Sequence, residues 1–389
     1  MNKRVRIEVD RRHRLETDRA IRLSEWSRGE RPGPFKLMYF PTNACNLNCA
    51  ICWQRKGVHD YSELSQERQK ALIVEAIALG VRELVIGGGG EPLVRWKHLR
   101  PLFEQARNWG LYGMLFTNGT LISEDVAASL VEMEWNKVLI SLDGLRGVND
   151  MVRETGSFKR IFKGLECLLA ARGGASLPII GIGCVMTRQG AEELPDFVRL
   201  LANSGCDQLN LIRLVVHLDE QRHFSVKNSK IADFQRSVRE AREIAHTAGM
   251  VTNLEEYLDE ATLSQTESFD SVLLSERTLG ADGNSFWGAL CFEPFSNLVI
   301  HANGMVGPCC MCGDAPVASI VSRTLSDVWF GDEFDRLRQG VLDRRPEPYC
   351  RICDVNVFAE NQRLRTFGRE KKVNDSEIVT PQKANLNEE

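Results

Sequence analysis

The chain has 389 residues, 43% of them hydrophobic and 26% charged, with a formal net charge of -4. That length and polarity can bury a large core with room for two domains, which excludes a disordered or fibrous protein. The mild acidity excludes a global basic field for nucleic acid, and no apolar run approaches the roughly 20 residues of a membrane span. The start, Met1-Asn-Lys-Arg4, lacks the apolar core of a secretory signal, so a cytoplasmic protein is expected. In that compartment the twelve cysteines are expected to be metal ligands or free thiols rather than disulfides.

Residues 1–34, with Lys3, Arg4, Arg6, Arg11, Arg12 and Arg14, read as a solvated N-terminal arm. From 35 to 250, short apolar runs alternate with longer amphipathic stretches, the pattern of repeated βα units around a parallel sheet. The strands are placed at Lys36–Phe40, Glu83–Gly87, Gly113–Thr117, Lys137–Leu142, Ile179–Met186 and Gln208–Leu214, each nearly continuous in apolar character, as burial on both faces requires. Helices are expected near 64–79, 97–109, 123–134, 158–171, 191–203 and 231–248. Residues 251–290 read as a linker or lid, 291–367 as a second, cysteine-rich unit, and 368–389 as a mobile charged tail.

Directly after the first strand comes Asn43-Ala-Cys-Asn-Leu-Asn-Cys-Ala-Ile-Cys-Trp53, which holds Cys45, Cys49 and Cys52. Three thiolates on one short loop can hold an iron–sulfur cube and leave its fourth iron open to another ligand, as a four-cysteine structural site does not. Taken alone, such a loop also fits a partial zinc site. The second strand runs into Gly87-Gly-Gly-Gly-Glu91-Pro92, where a ligand can approach the main chain closely. Polar tips follow the third strand, Thr117-Asn-Gly119, and the fourth, Ser141-Leu-Asp-Gly144.

The Cys-x3-Cys-x2-Cys spacing with Trp53 behind it resembles the cluster loop of the radical S-adenosylmethionine (SAM) enzymes. The resemblance implies an α/β fold, a partial (β/α)6 barrel open on one side, whose loops converge at the C-terminal strand ends. It implies that Cys45, Cys49 and Cys52 ligate a 4Fe-4S cluster whose open iron chelates SAM, and that one electron splits SAM to methionine and a 5′-deoxyadenosyl radical. It also implies that Gly88, Gly89, Gly90 and Glu91, in the family's Gly-Gly-Glu-Pro element, bind the cofactor, with Ser141 and Asp143 near its ribose. Arg153 would face its carboxylate, a surface ion pair being the plainer alternative.

In the second unit, Cys291 is followed by Gly304 and Cys309, and later by Cys350-Arg-Ile-Cys353, while Asn297–Val306 reads as a β-hairpin turning at Asn303-Gly304. This set resembles the SPASM/Twitch extension of radical SAM enzymes, a small α+β iron–sulfur domain. The resemblance implies that Cys291, Cys309, Cys350 and Cys353 hold one auxiliary 4Fe-4S cluster, with Cys310 or Cys312 able to replace Cys309. A zinc site that only braces the fold is the alternative.

A protein-ligated second cluster passes electrons. The expected activity is therefore that of a radical SAM oxidoreductase that dehydrogenates a small polar substrate, such as a sugar or aminocyclitol, with the auxiliary cluster as acceptor. The expected partners are that substrate and a reductant such as flavodoxin or ferredoxin, with no nucleic acid and no membrane. Two alternatives stand beside it: a maturase of a ribosomally made peptide, and a non-catalytic iron–sulfur electron carrier. No side chain is singled out as touching substrate.

Overall fold

The computed structural model describes residues 3–56, 60–227, 230–258, 272–273, 286–312, 315–353 and 355–370. Six parallel strands follow the expected runs closely: β1 (Lys36–Tyr39), β2 (Glu83–Ile86), β3 (Tyr112–Thr117), β4 (Lys137–Ser141), β5 (Ile179–Met186) and β6 (Gln208–Arg213). A seventh, β7 (Val251–Thr252), pairs parallel with β6. Leu84, Ile86, Leu115, Val138, Ile140, Ile180, Ile182, Leu209 and Leu211 belong to one fully buried core with the apolar stripes of the helices, and that burial holds the layers together.

Those helices begin where the sequence offers a cap and stop where it offers a left-handed residue. The hydroxyls of Ser65, Ser123 and Thr187 accept from backbone N–H groups three residues on, satisfying donors the first helical turn leaves open. Gly205 (φ +86°) and Gly249 (φ +70°) end the helices Arg188–Ser204 and Ile231–Ala248.

Three parts differ from the sequence expectation. Residues Lys3–Ser27 are not a solvated arm but a helix, α1, with Val5, Glu8, Arg19, Ala20 and Leu23 buried. Residues 4, 8, 12 and 19 lie on one helical face and meet the N-terminal strand ends in spatial order. Arg4 pairs with Asp207 before β6; Glu8 meets Tyr112 of β3 and Lys137 of β4. Arg12 pairs with Glu83 of β2. Arg19 reaches Glu293 and Ser296, just ahead of a further strand. The helix therefore runs beneath the sheet, across its strand ends.

The cysteine-rich unit, expected as a second unit, shares the sheet of the first. Its expected hairpin is present as β8 (Asn297–Ile300) and β9 (Met305–Gly307). The first of these pairs parallel with β1 in the register Lys36↔Asn297 to Tyr39↔Ile300, and a short strand β10 (Ala318–Ser319) pairs antiparallel with β9, so one ten-stranded sheet runs from β10 through the hairpin and β1 to β7. The reason lies in β1, which would otherwise be an unpaired, buried edge.

The third difference is a C-terminal helix, Val355–Glu370, which overlaps the start of the expected tail. Its Asn356 touches the Leu211 carbonyl and Asn253 on the β6 side, and its Glu360 pairs with Arg19 and with Lys36 of β1. The helix thus joins the β6 side of the sheet to β1. Most of the expected linker (259–271 and 274–285) and the tail from 371 lie outside the described residues.

Candidate functional site

The expected motifs gather at the C-terminal ends of β1 to β6. After β1 the chain turns into the cysteine loop, and the glycine run after β2 lies flush against it. Gly90 N–H donates to the Thr42 carbonyl at 2.7 Å and Glu91 N–H to the Ala44 carbonyl at 2.9 Å. A Cβ on Gly90 would stand 2.0 Å from the Ala44 oxygen, and Gly88 (φ +84°) has the Phe40 ring where a Cβ would fall. Only glycine permits that approach, so contact with the cysteine loop is itself sufficient reason for these glycines.

Three buried side chains, each from a different strand end, brace the loop. Glu91, 2% exposed, accepts from Leu93 N–H at 3.0 Å, Thr117 Oγ1 at 2.7 Å and Asn118 N–H at 2.6 Å. The Asn118 amide in turn donates to Asn46 Oδ1 at 2.8 Å and lies 4.0 Å from Cys45 Sγ. Asp143, fully buried, accepts from Val185 N–H at 2.8 Å and stands 2.8 Å from Arg153 Nε, while Arg153 Nη1 lies 3.9 Å from Cys49 Sγ. Arg153 is therefore no surface ion pair. Gln221, also fully buried, donates to the Ala50 and Cys52 carbonyls at 3.1 and 3.2 Å and accepts from His217 and Leu218 N–H. Ser141 ends β4, half-buried.

Asn118 and Gln221 were not singled out by sequence reasoning. Asn118 sits in a tip that reads as an ordinary turn, and Gln221 follows β6 in a stretch whose neighbours Asp219 and Glu220 are exposed.

Burial pushes the Cys45 thiol up. Burial also pushes Cys49 up to about 11; Arg153 opposes that shift, while Asp143, Cys52 and Cys45 add to it. Cys45 and Cys52 thus lie near enough to Cys49 to act on its thiol. Loading a metal here must displace their protons. Among the described residues no group of three or more His, Cys, Asp or Glu already stands in metal-binding geometry. The donor set nevertheless suits an iron–sulfur cube: three thiols on one braced loop, with an arginine rather than a fourth thiol beside Cys49.

In the second unit, Cys291, Cys309 and Cys350 line one small cavity together with Glu293, Arg345, Glu347 and Tyr349. Cys312 is fully buried, its Sγ packed where a Cβ on Gly307 would be and 2.9 Å from the Cys309 carbonyl. Burial pushes both Cys312 and Cys350 up to about 11. Cys353 lies instead in a short strand, Ile352–Cys353, paired with Val272–Leu273, and packs against the main core. The structure thus brings together three of the four expected cysteines. Of the other cysteines, Cys184 and Cys206 are core residues, Cys167 packs on the core and Cys310 is exposed.

A model of the Radical SAM superfamily matches residues 39–201, and one of the SPASM iron–sulfur cluster-binding domain matches 291–354. The chain belongs to the radical SAM superfamily. Within it, the chain is a radical SAM enzyme with a C-terminal SPASM domain, and these domains imply a SAM-binding 4Fe-4S cluster and auxiliary iron–sulfur ligation. It is 27% identical over 339 residues to the Fe-coproporphyrin III synthase of Methanosarcina barkeri, covering 83% of this chain and 79% of that one. To the mycofactocin maturase MftC of Mycolicibacterium smegmatis it is 37% identical over 185 residues, 46% of this chain and 45% of the maturase. The solved structure of anSMEcpe with bound AdoMet shares the fold, with a TM-score of 0.60 at 17% identity, covering 87% of this chain and 100% of that one. Among the described residues no helix is long and apolar enough to cross a membrane.

Proposed function

We infer that the protein is a maturase, which modifies a ribosomally made peptide by radical chemistry. Cys45, Cys49 and Cys52 hold the SAM-binding cluster; Gly88, Gly89, Gly90, Ser141, Asp143 and Arg153 receive SAM; and Cys291, Cys309 and Cys350, which line one cavity, hold an auxiliary cluster. Bound there, the cluster and SAM supply hydrogen-atom abstraction. The chain's own residues do the positioning: Arg153, fixed by Asp143, offers a buried fork suited to a carboxylate, and Glu91 fixes the glycine run against the cysteine loop.

The observation that carries the substrate class is the likeness to MftC, 37% identical across the barrel-sized segment. It favours peptide maturation over the expected oxidation of a sugar or aminocyclitol. A second reading, modification of a tetrapyrrole, is favoured by the match to Fe-coproporphyrin III synthase, which spans most of both chains. Electrons come from a flavodoxin or ferredoxin.

The test is 5′-deoxyadenosine release by anaerobically reconstituted protein with SAM and reductant, given in parallel a short peptide encoded beside the gene, iron coproporphyrin and an aminocyclitol. The peptide is expected to accelerate release and to change in mass. Acceleration by the porphyrin alone moves the assignment to the second reading, and acceleration by the cyclitol alone overturns both.

A further inference from the structure

Arg19 comes from the helix beneath the sheet, yet all its hydrogen bonds serve the auxiliary side. It is 2% exposed. Nη2 stands 2.9 Å from Glu293 Oε1, Nε and Nη2 donate to Ser296 Oγ at 3.0 and 2.8 Å, and Nη1 pairs with Glu360. Glu293 is two residues from Cys291, donates its backbone N–H to Cys291 Sγ at 3.4 Å, and lines the cavity with Cys291, Cys309 and Cys350. A buried guanidinium therefore lies one carboxylate away from the auxiliary thiols, where poor screening lets a unit charge act at a distance.

An iron–sulfur cluster gains negative charge when it takes up an electron, and its potential follows the local net charge and the hydrogen bonds to its sulfurs. We propose that Arg19 is a positioning residue that sets the reduction potential of the auxiliary cluster. It neutralises Glu293 beside the sulfurs and keeps the cluster easier to reduce than the same cage without it. The N-terminal helix thereby couples the base of the barrel to the electron acceptor. This rests on the reading that Cys291, Cys309 and Cys350 belong to an auxiliary cluster.

The test uses full-length reconstituted protein held at a fixed potential with mediators. The auxiliary cluster is followed as the EPR signal that does not change when SAM is added. Arg19→Gln should lower the ratio of reduced to oxidised auxiliary cluster at least tenfold, about 59 mV for one electron, with iron and sulfide content unchanged. Arg19→Lys, which keeps the charge, should stay within about threefold of the parent. Glu293→Gln should move the ratio the other way, and it carries the test if Arg19→Gln does not fold. Unchanged ratios in the loaded variants overturn the proposal while leaving the auxiliary cluster in place. A parent protein that binds iron for one cluster only overturns the auxiliary-cluster reading itself, and this inference with it.

Discussion

Glu91 takes three hydrogen bonds on a carboxylate withdrawn from water. Glu91→Gln would set an amide NH2 against the Asn118 or Thr117 donor. A loss of about 1–3 kcal/mol is expected, read as a lower denaturation midpoint, together with less iron retained by the first cluster loop. Gln221→Leu keeps the volume but frees the Ala50 and Cys52 carbonyls, so iron retention should again fall; loading equal to that of the parent contradicts the bracing role. The cysteines were legible because their spacing within one loop carries the chemistry. Asn118 and Gln221 were not, because their contacts join residues 73 and 171 positions apart, and no local pattern encodes such a meeting.

At the scale of elements, α1 is the part the sequence concealed. Its buried face carries charged residues whose partners Glu83, Lys137 and Asp207 sit on, or just ahead of, separate strands, so counting charge alone points to a solvated arm. Removing one member of a buried pair strands the other. Glu8→Ala, which leaves Lys137 buried without its carboxylate, should therefore cost about 3–5 kcal/mol in urea denaturation; a change under about 0.5 kcal/mol, typical of an exposed site, contradicts the packing described.

The C-terminal helix makes a pH prediction. Burial alone would raise the Glu360 carboxyl, but Arg19, Lys36, Arg12 and Arg363 outweigh it and hold the group at about 2, below its ordinary 4.5. A depressed carboxyl stabilises the fold above its unfolded value and loses that contribution as pH falls towards the folded one. Apoprotein stability should thus decline between about pH 4.5 and 2, and Glu360→Gln should flatten that slope. An unaltered slope would assign the acid sensitivity to other carboxylates.

For the molecule as a whole, the repeated βα order was readable because apolar runs and amphipathic stretches alternate along the chain. The joining of the cysteine-rich hairpin to β1 was not, since a parallel pairing across some 260 residues leaves no local signature. That pairing and the Arg19 contacts fix the auxiliary cysteines relative to the barrel. Cys350→Ala should consequently spare part of SAM cleavage and abolish product, and undiminished product would remove the auxiliary site from the reaction. The most direct measurement is the EPR spectrum of the reduced, reconstituted protein before and after SAM is added, compared with Cys49→Ala. One of the parent's cluster signals should shift with SAM, and that signal should be missing in the variant. A spectrum indifferent to SAM, with iron and sulfide fully loaded, would contradict an open iron on the Cys45–Cys52 loop.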